Sequence, residues 1–247
     1  MALAHDVAEP LYLQIKELLL GEIRAGRYRP HQRLPSEREL SAAHGVSRMT
    51  VRQALVELHR SGAIYARVGK GTFVAPPKIE QQLRSVTSFS QQLQAQGEVP
   101  SSRVLVASIG RVDEAITEAL RIDASEEVVT LGRIRLADAR PVGIETAYLP
   151  AARVPGLLQH DFEHDSLYET LAREYGLNLF TASQTIEAGL ADDRELRLLE
   201  MSPPAAVLRM RRLTMSSDSR SVEFVISTYR GDLYQLRTNL EQSSAVR

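Results

Sequence analysis

Cysteine and tryptophan are absent from this sequence of 247 residues, and aromatic residues make up only 5% of it. The absence of cysteine excludes disulfide bonds, thiol catalysis and cysteine-ligated zinc or iron–sulfur sites. No apolar run reaches the ~18 residues that a membrane-spanning helix requires. The first residues also lack the basic and apolar segments of a secretory signal. We therefore expect a cytoplasmic protein without membrane association, formed by one large domain or two smaller ones.

Charge is distributed unevenly along the chain, although the formal net charge is only −1. Residues 1–75 hold 11 basic and 7 acidic residues, whereas the remaining 172 residues hold 19 and 24. The excess is sharpest in residues 24–70, with ten basic residues against three acidic ones. A basic module beside an acidic one favours a polyanionic partner for the first module, with chance fluctuation as the alternative.

Three short helices and a hairpin are predicted within the first 75 residues. The apolar residues of PLYLQIKELLLGEIRAGRY recur at helical spacing. Ser36 and Glu39 have the spacing of a capping box, which predicts a second helix that ends near Gly45. Ser47 is placed to cap a third helix, and AIYARV, GKG and TFV predict a hairpin with a glycine turn.

The third predicted helix carries basic and polar residues on the face opposite its apolar stripe. Such a helix fits the DNA major groove, where arginine pairs with guanine and glutamine with adenine. A solvated basic surface is the alternative for this helix alone. Together with the preceding helix, the glycine turn and the basic hairpin, it predicts a winged helix-turn-helix. The candidate DNA contacts from this reasoning are Ser47, Arg48, Thr50, Arg52, Gln53, Arg67 and Lys70.

Residues 10–74 resemble the DNA-binding domain of the GntR family of bacterial transcription regulators. The motifs that carry the resemblance are PLYLQI, LPSEREL, VSRMTVRQAL and GKGTFV. One departure is His31, where the family usually has glycine, and it is not expected to abolish DNA binding. The resemblance adds Arg38 and the wing glycines Gly69 and Gly71 to the candidate DNA contacts.

The rest of the chain mixes helical and strand periodicity, which predicts an α+β domain with an antiparallel sheet. Pro76-Pro77 favours a linker, giving a DNA-binding domain over 1–75, a linker over 76–84 and a second domain over 85–247. An internal echo repeats the order helix, strand, turn, strand, and aligns Arg133 and Arg135 with Arg209 and Arg211. The echoed segments are DEAITEALRI–EVVTLGRIRLAD–PVGIETAYLP and DDRELRLLEM–AAVLRMRRLTMSS–SVEFVISTYRG.

A small anion is the predicted ligand of this second domain. Arg133 and Arg135 are two residues apart on a strand, so both point to one face, where an anion relieves their repulsion. Hydroxyl and backbone N–H groups at Ser88, Ser90 and Ser166 are of the kind that holds phosphates. Acidic and phenolic side chains suit hydroxyl or amine groups of a ligand, and the candidates are Glu145, Glu223 and Tyr229.

Residues 80–240 resemble the HutC-type effector domain (UTRA) of one GntR subfamily. LRSVTSFSQQLQAQG, VTLGRIRLAD, PVGIETAYLP, SLYETL and VEFVISTYRGDLYQL carry the resemblance. It implies a chorismate-lyase-like fold without that activity, and an effector site that in one branch binds phosphorylated amino sugars. The implied effector positions are Ser88, Phe89, Ser90, Arg133, Arg135, Glu145, Ser166, Tyr168, Glu223 and Tyr229.

Structural roles are the alternatives for these positions. The two arginines could pair with Glu145 and Glu223 across the sheet, and Phe89 and Tyr229 could serve packing alone. The segment HDFEHD, residues 160–165, has histidine and carboxylate groups at metal-ligand spacing, but no further ligands are evident. No hydrolase, zinc-protease or P-loop motif is present, so no catalytic residue, metal or cofactor is expected.

The sequence thus predicts a transcription regulator, a repressor in the first instance, that binds an inverted-repeat DNA operator as a homodimer. A small anionic effector would control its DNA affinity. A phosphorylated amino sugar is the first candidate, and a carboxylate such as urocanate is the second. The alternatives are an enzyme with lyase-like chemistry and an architectural DNA-binding protein without a ligand.

Overall fold

The computed structural model describes residues 9–67, 69–76 and 78–240. The chain divides into two compact units, residues 1–78 and 79–247. Within the described ranges, no helix combines the length and apolar character needed to cross a membrane.

The first unit contains the three predicted helices and the predicted hairpin. The Ser36 Oγ accepts the Glu39 N–H, and a Glu39 carboxylate oxygen accepts the Ser36 N–H, which is the predicted capping box. Gly45 ends the second helix in the left-handed conformation, with a φ of 67°. The elements are α1 (Leu11–Arg24), α2 (Glu37–His44), α3 (Arg48–Arg60), β1 (Ile64–Arg67) and β2 (Gly71–Val74).

The core of the first unit forms where the apolar stripes of its helices meet. Ile15 and Leu19 of α1 and Val51 and Leu58 of α3 are completely buried. Leu40 joins them from α2. Because these side chains fill the inner faces, the polar faces of α2 and α3 are left at the surface.

His31 occupies the position at which the resemblance places a glycine. Its φ of 63° lies in the left-handed region, where glycine has no steric cost. The His31 N–H donates to the Val74 carbonyl at 2.9 Å, and its Nδ1 lies 3.0 Å from the Tyr65 hydroxyl. These contacts hold a histidine in a backbone conformation that usually favours glycine.

The second unit is built on a six-stranded antiparallel sheet with the order β4-β5-β6-β9-β8-β7. Its strands are β3 (Ile79–Gln82), β4 (Pro100–Gly110), β5 (Val128–Ala137), β6 (Arg140–Pro150), β7 (Leu179–Leu190), β8 (Ala206–Ser216), β9 (Ser221–Arg230) and β10 (Tyr234–Arg237). Its α-helices are α4 (Phe89–Ala95), α5 (Glu114–Leu120), α6 (Leu167–Tyr175) and α7 (Asp193–Leu198), with 3₁₀ turns at Ala151–Arg153 and Leu157–Gln159. The α+β class is therefore confirmed.

The sheet has an internal pseudo-symmetry that matches the repeated order helix, strand, turn, strand in the sequence. Strands β6 and β9 pair at its centre, β5 and β8 flank them, and β4 and β7 form the two edges. The helix of each repeat contacts the central strand of the other repeat, α5 on β9 and α7 on β6. The two halves are thus related across the centre of the sheet.

Two elements differ from the expectation for residues 76–99. Residues 79–82, placed in the linker by sequence, form β3, which pairs in parallel with β10 so that Ile79 lies opposite Tyr234. The chain divides after Lys78, not after a linker ending at residue 84. Helix α4 also lies where no helix was predicted. A four-residue strand whose partner is some 150 residues away has no local signal strong enough to reveal it.

Candidate DNA interface and buried anion site

Helix α3 presents its predicted face to solvent. Val51, Ala54 and Leu58 are buried, whereas Met49 is 67% exposed on the opposite side. The Ser47 Oγ accepts the Thr50 N–H at 3.1 Å and thereby caps the helix. The first turn of α3 is therefore fixed in position and accessible to a partner.

Three basic side chains near this helix are not neutralised by a direct ion pair in the described part of the chain. Arg38 on α2, Arg48 on α3 and Lys70 in the wing are exposed and make no hydrogen bond or ion pair there. Gln53, also exposed, lies one turn further along α3. Unpaired cations spread over two helices and a hairpin form a surface suited to a polyanion.

Arg52 is held differently from the other basic residues of α3. Its Nε donates to Glu37 Oε1 at 3.0 Å and its Nη2 donates to Glu37 Oε2 at 2.8 Å. This bond lowers the pKa of Glu37 below its ordinary value. The sequence predicts Arg52 as a DNA contact, whereas the structure joins it to Glu37 in a bidentate pair between α2 and α3.

The wing between β1 and β2 depends on two glycines. Gly69 has a φ of 71° and Gly71 a φ of 104°, both in the region that favours glycine. A Cβ atom at Gly71 would lie 2.9 Å from the Arg33 Nε. The turn that carries Lys70 therefore favours glycine for its backbone conformation, whereas at Gly71 the flexible Arg33 side chain could move to admit a Cβ atom.

Arg67 packs on the aromatic surface of the wing. Its guanidinium carbon lies 5.5 Å from the ring centres of both Tyr65 and Phe73. The two rings stack with their centres 5.6 Å apart. Cation–π contacts of this kind orient an exposed arginine without neutralising its charge.

In the second unit, Arg133 and Glu145 are buried together on one face of the sheet. They lie opposite each other in the β5–β6 pair, and Arg133 Nη2 donates to Glu145 Oε1 at 2.8 Å. The Tyr229 hydroxyl donates to the other Glu145 oxygen at 3.2 Å. Two further buried donors of Arg133, Nε and Nη1, have no partner among the described residues.

Arg135 lies on the same face, where it contacts a hydroxyl group and an aromatic ring. It is 4% exposed, and its Nη1 donates to the Ser102 Oγ at 2.9 Å. Its guanidinium carbon stacks 4.3 Å from the centre of the Phe89 ring. The alternative of cross-sheet pairing therefore holds for Arg133 with Glu145, but Arg135 forms no ion pair with Glu223 in the described structure.

A third arginine, Arg212 on β8, completes the cluster and was not predicted. Its Nη2 donates to the Tyr168 hydroxyl at 2.6 Å, which in turn donates to Glu223 Oε2 at 2.9 Å. The Arg212 Nε is a buried donor without a partner in the described residues. Tyr168 of α6 and Glu223 of β9 therefore belong to the same buried cluster.

Arg209 and Arg211, which the sequence echo aligns with Arg133 and Arg135, do not share the inner face of β8 with Arg212. Met210 is buried, and residues two apart on a strand share a face, so Arg212 points to the same side. Arg209 points to the other side and pairs with Glu195 at 2.7 Å, while Arg211 is exposed. The apolar Met210 is the sequence signal that identifies Arg212.

The buried groups carry an excess of positive charge. Burial raises the pKa of Glu223 to about 7, so this carboxyl is partly protonated near neutral pH. Burial opposes ionisation of Glu145, but Arg135, Arg133 and Arg212 offset it and lower its pKa. Burial lowers the pKa of Arg133 to about 10, which leaves it charged at neutral pH. Three guanidiniums therefore face less than two full negative charges.

The predicted serines lie at helix starts. Ser88 caps α4 by accepting the Gln91 N–H at 3.0 Å, and Ser166 caps α6 by accepting the Glu169 N–H at 3.5 Å. Ser90 is buried in the first turn of α4. Capping is a structural role, and it leaves hydroxyl and N–H groups of both helix starts as candidates for a phosphate.

A cavity of about 20 Å³ lies beside Arg212. This volume is close to that of one water molecule, so a metabolite requires side chains to move apart. Its polar lining includes residues that the sequence did not single out, from β3, β7 and β9. The polar lining residues are Gln81, Glu145, Gln184, Arg212, Ser227 and Tyr229.

The segment 160–165 pairs internally and with α6. His164 Nδ1 lies 2.8 Å from Asp161 Oδ2, and His160 Nε2 lies 3.0 Å from Glu174 Oε2. In the described residues, no group of three or more histidine or carboxylate side chains is arranged to hold a metal ion.

Family models match both units. Residues 11–74 match the model for bacterial regulatory proteins of the gntR family, and residues 95–235 match the UTRA domain. Both matches agree with the resemblance found in the sequence, and the second covers more than half of the chain.

Relatives and solved structures match over most of their length. The transcriptional repressor NagR of Bacillus subtilis is 35% identical over 91% of this chain and 92% of its own. A histidine utilization repressor of Pseudomonas aeruginosa is 33% identical over 85% of this chain and 84% of its own. The crystal structure of PhnF from Mycobacterium smegmatis covers 94% of this chain and 99% of its own, with 32% identity and a TM-score of 0.65. The chain therefore belongs to the GntR family of bacterial regulatory proteins, in the HutC-type branch that carries a UTRA domain.

Proposed function

We propose that this protein is a DNA-binding transcriptional repressor whose operator affinity is controlled by a small anionic metabolite. The observation that carries the proposal is the presence of two separate cationic sites. One is the exposed surface of α2, α3 and the wing, and the other is the buried cluster of Arg133, Arg135 and Arg212. Two relatives are themselves named repressors, which supports the sign of the regulation.

Operator binding would use α3 in the major groove and the wing beside it. Arg48 and Gln53 are exposed near the start of α3, where base contacts are made by helix-turn-helix proteins. Arg38, Lys70 and Arg67 surround them and suit phosphate contacts. Two copies would read the two halves of an inverted repeat. A DNA partner would place the protein in the bacterial cytoplasm.

A phosphorylated amino sugar fits the buried cluster best. Guanidinium forks bind phosphate through paired N–H groups, and Arg133, Arg135 and Arg212 hold unpaired buried donors. Glu145 and Glu223 offer acceptors for an ammonium group and for sugar hydroxyls. A phosphate dianion would also balance the local excess of positive charge.

A carboxylate catabolite such as urocanate is the second candidate. The relative named a histidine utilization repressor, 33% identical to this chain, favours it. A carboxylate would also satisfy arginine donors, but it brings only one negative charge to the cluster. The two candidates therefore differ in how fully they neutralise the three arginines.

Regulation would follow from linkage between the two sites. The effector must bind more tightly to the conformation that binds DNA poorly, and DNA must then weaken effector binding by the same factor. Because the buried cavity is small, rearrangement of Tyr168 and neighbouring side chains is the expected first step.

A thermal-shift panel tests the ligand assignment. The probes are a hexosamine 6-phosphate, the same hexosamine without phosphate, the hexose 6-phosphate and urocanate. We expect the hexosamine 6-phosphate to raise the melting temperature most, since only it combines phosphate and amine. The Arg133→Ala/Arg135→Ala variant should lose this shift and keep DNA binding, and the exposed Arg211→Ala is the matched control.

Other outcomes point to the rival functions. If no metabolite raises the melting temperature while DNA binding is intact, the architectural alternative replaces the effector proposal. Turnover of a phosphorylated or carboxylated probe would instead indicate an enzyme. A normal thermal shift in the Arg133→Ala/Arg135→Ala variant would refute the buried cluster as the effector site.

A further inference from the structure

One apolar side chain interrupts the cationic surface of the first unit. Met49, the second residue of α3, is 67% exposed. The core of this unit, as far as the structure describes it, is formed without Met49. The helix cap does not use its side chain either, because that cap joins Ser47 to Thr50. Neither packing nor capping therefore explains an apolar side chain at this position.

The side chains near Met49 are polar or cationic. Gln53 lies one turn further along the same face of α3, and Arg48 precedes Met49 in the sequence. Arg38 and Lys70 add exposed cations from α2 and the wing. A contact site for another protein is a contiguous apolar patch, with few charged residues at its centre. A single apolar side chain on a cationic surface does not have this composition.

The DNA major groove has the complementary composition. Phosphates line its rims, and the base edges inside it carry one type of apolar group, the C5-methyl group of thymine. The thioether chain of methionine is flexible and polarizable, so it adapts to a small apolar partner. An apolar side chain on a cationic helix therefore matches a thymine methyl group that lies between phosphates.

The position of Met49 on α3 gives it the reach that such a contact requires. In helix-turn-helix proteins, the N-terminal residues of the second helix contact base edges. Side chains of an α-helix also tilt toward its N-terminus, so the Met49 side chain leaves the backbone toward the end of α3 that enters the groove. Val56 lies on the same face and is 43% exposed, but it is seven residues later, roughly 10 Å further along the helix axis.

We propose that Met49 contacts the C5-methyl group of one thymine in each half of the operator. Met49 is then a specificity-determining residue, since cytosine has no methyl group at C5 and each purine presents a different edge. This inference rests on operator binding by α3 in the proposed function and adds an apolar contact to it. Arg48 and Gln53 would bind neighbouring bases.

Deoxyuridine tests the contact directly, because it differs from thymidine only in the absence of the C5-methyl group. An operator is first selected from a randomised DNA duplex with the wild-type protein. Each thymine of one half-site is then replaced by deoxyuridine together with its symmetric copy, one position at a time. For one such pair we expect wild-type affinity to fall about 15-fold, or about fourfold for each buried methyl group.

The Met49→Ala variant identifies the side chain responsible. Its affinities for the thymine and deoxyuridine operators should differ less than about twofold, since the shortened side chain no longer contacts the methyl group. Val56→Ala is the matched control, because it removes an exposed apolar side chain from the same face of α3. This control should keep the full wild-type difference, and circular dichroism checks that both variants are folded.

The proposal is overturned if no thymine of the selected operator is sensitive to the loss of its methyl group, or if the selected half-site contains no thymine. It is also overturned if Met49→Ala distinguishes the two operators as strongly as wild type does. In that case the methyl group acts on the DNA itself or on another side chain.

The same measurements separate this inference from the function on which it rests. A protein that enriches no DNA sequence in the selection refutes the proposed function, and the thymine contact with it. A protein that selects an operator but shows no methyl-dependent difference at Met49 keeps the proposed function and refutes the contact alone.

Discussion

Arginine serves the two units of this protein in opposite surroundings. Arg48 of the first unit is exposed and unpaired, whereas Arg133 of the second is 2% exposed and bonded to Glu145. An exposed guanidinium attracts any polyanion, and dissolved salt screens that attraction. A buried guanidinium is screened little, and it is costly to keep unless an anion is present. The same residue type thus suits a long polymer in one unit and a single small anion in the other.

Burial also determines how much each arginine contributes to folding. The Arg52–Glu37 pair lies at the surface, where solvent screens it, so it can open at little cost when DNA approaches. The buried arginines have donors without partners, and those donors are satisfied only if a ligand supplies acceptors. Under the proposed function, the first unit would bind DNA as it stands, whereas the second would gain its full set of hydrogen bonds only when an anion binds.

Salt gives the largest expected contrast between the two sites. Between 50 and 200 mM salt, operator affinity should fall roughly 10³- to 10⁵-fold if each dimer neutralises about 6–10 phosphates. Effector affinity should fall less than about tenfold over the same range, because its arginines are buried. Fluorescence anisotropy and calorimetry measure the two affinities. Equal salt slopes would remove the distinction between exposed and buried sites.

The pH dependence of stability tests the electrostatics of the buried site. The folded pKa of Glu223, about 7, lies above its ordinary value of 4.5. Between these values the folded state holds a proton that the unfolded chain has lost, so the free energy of unfolding decreases as pH rises. The loss should reach roughly 3 kcal/mol at pH 8 relative to pH 4, at about 1.4 kcal/mol per unit.

Urea denaturation of Glu223→Gln isolates this contribution. The variant cannot ionise at this position, so its stability relative to wild type should improve by roughly 3 kcal/mol from low to high pH. Replacement of an exposed carboxylate, Glu118→Gln, should change stability by less than about 0.5 kcal/mol. If the difference in stability between wild type and Glu223→Gln does not vary with pH, the pKa of Glu223 is not raised in the folded state.

Substitution of a single exposed arginine should have a smaller effect. Arg48→Ala should weaken operator binding by about 1–3 kcal/mol if the side chain contacts a base, without a change in stability. Arg60→Ala, at the other end of α3, removes another exposed arginine, which pairs with Glu57. Binding assays at fixed salt should show a clear loss only for Arg48→Ala, and equal losses would indicate non-specific attraction alone.

The smallest expected effect is at His31. Glycine would relieve a left-handed conformation worth about 1–2 kcal/mol, but it adds freedom to the unfolded chain and loses the contact with Tyr65. His31→Gly should therefore change the free energy of unfolding by less than about 1 kcal/mol and leave operator affinity unchanged. Loss of DNA binding in this variant would give His31 a role that its position does not explain.

Local signals in the sequence predict most of the fold. The caps at Ser36 and Ser47, the glycine turn at Gly45 and the alternation of the long strands depend on neighbouring residues, and all are present in the structure. The pairing of β3 with β10 depends on residues about 150 positions apart, which leaves no local pattern to detect.

The candidate site could also be predicted only in part, because local patterns in the sequence reveal some of its residues and not others. The shared face of Arg133 and Arg135 follows from strand alternation, whereas Glu145 was a candidate because of its side-chain chemistry and the family resemblance. Arg212 was not predicted because two other arginines, Arg209 and Arg211, lie just before it on β8. Only the buried Met210 indicates which face of this strand points inward. The Arg52–Glu37 pair joins two helices, so the helical wheel of α3 alone does not reveal it.

Reciprocal titration tests the central claim most directly, namely that an anion in the buried arginine cluster weakens DNA binding by the first unit. Operator affinity is measured with and without a saturating hexosamine 6-phosphate, and effector affinity with and without operator DNA. Linkage predicts that both affinities fall by the same factor, about 5- to 150-fold. In Arg133→Ala/Arg135→Ala, the effector should leave operator affinity unchanged. Operator affinity that is unchanged while the effector is bound to wild type would contradict the account.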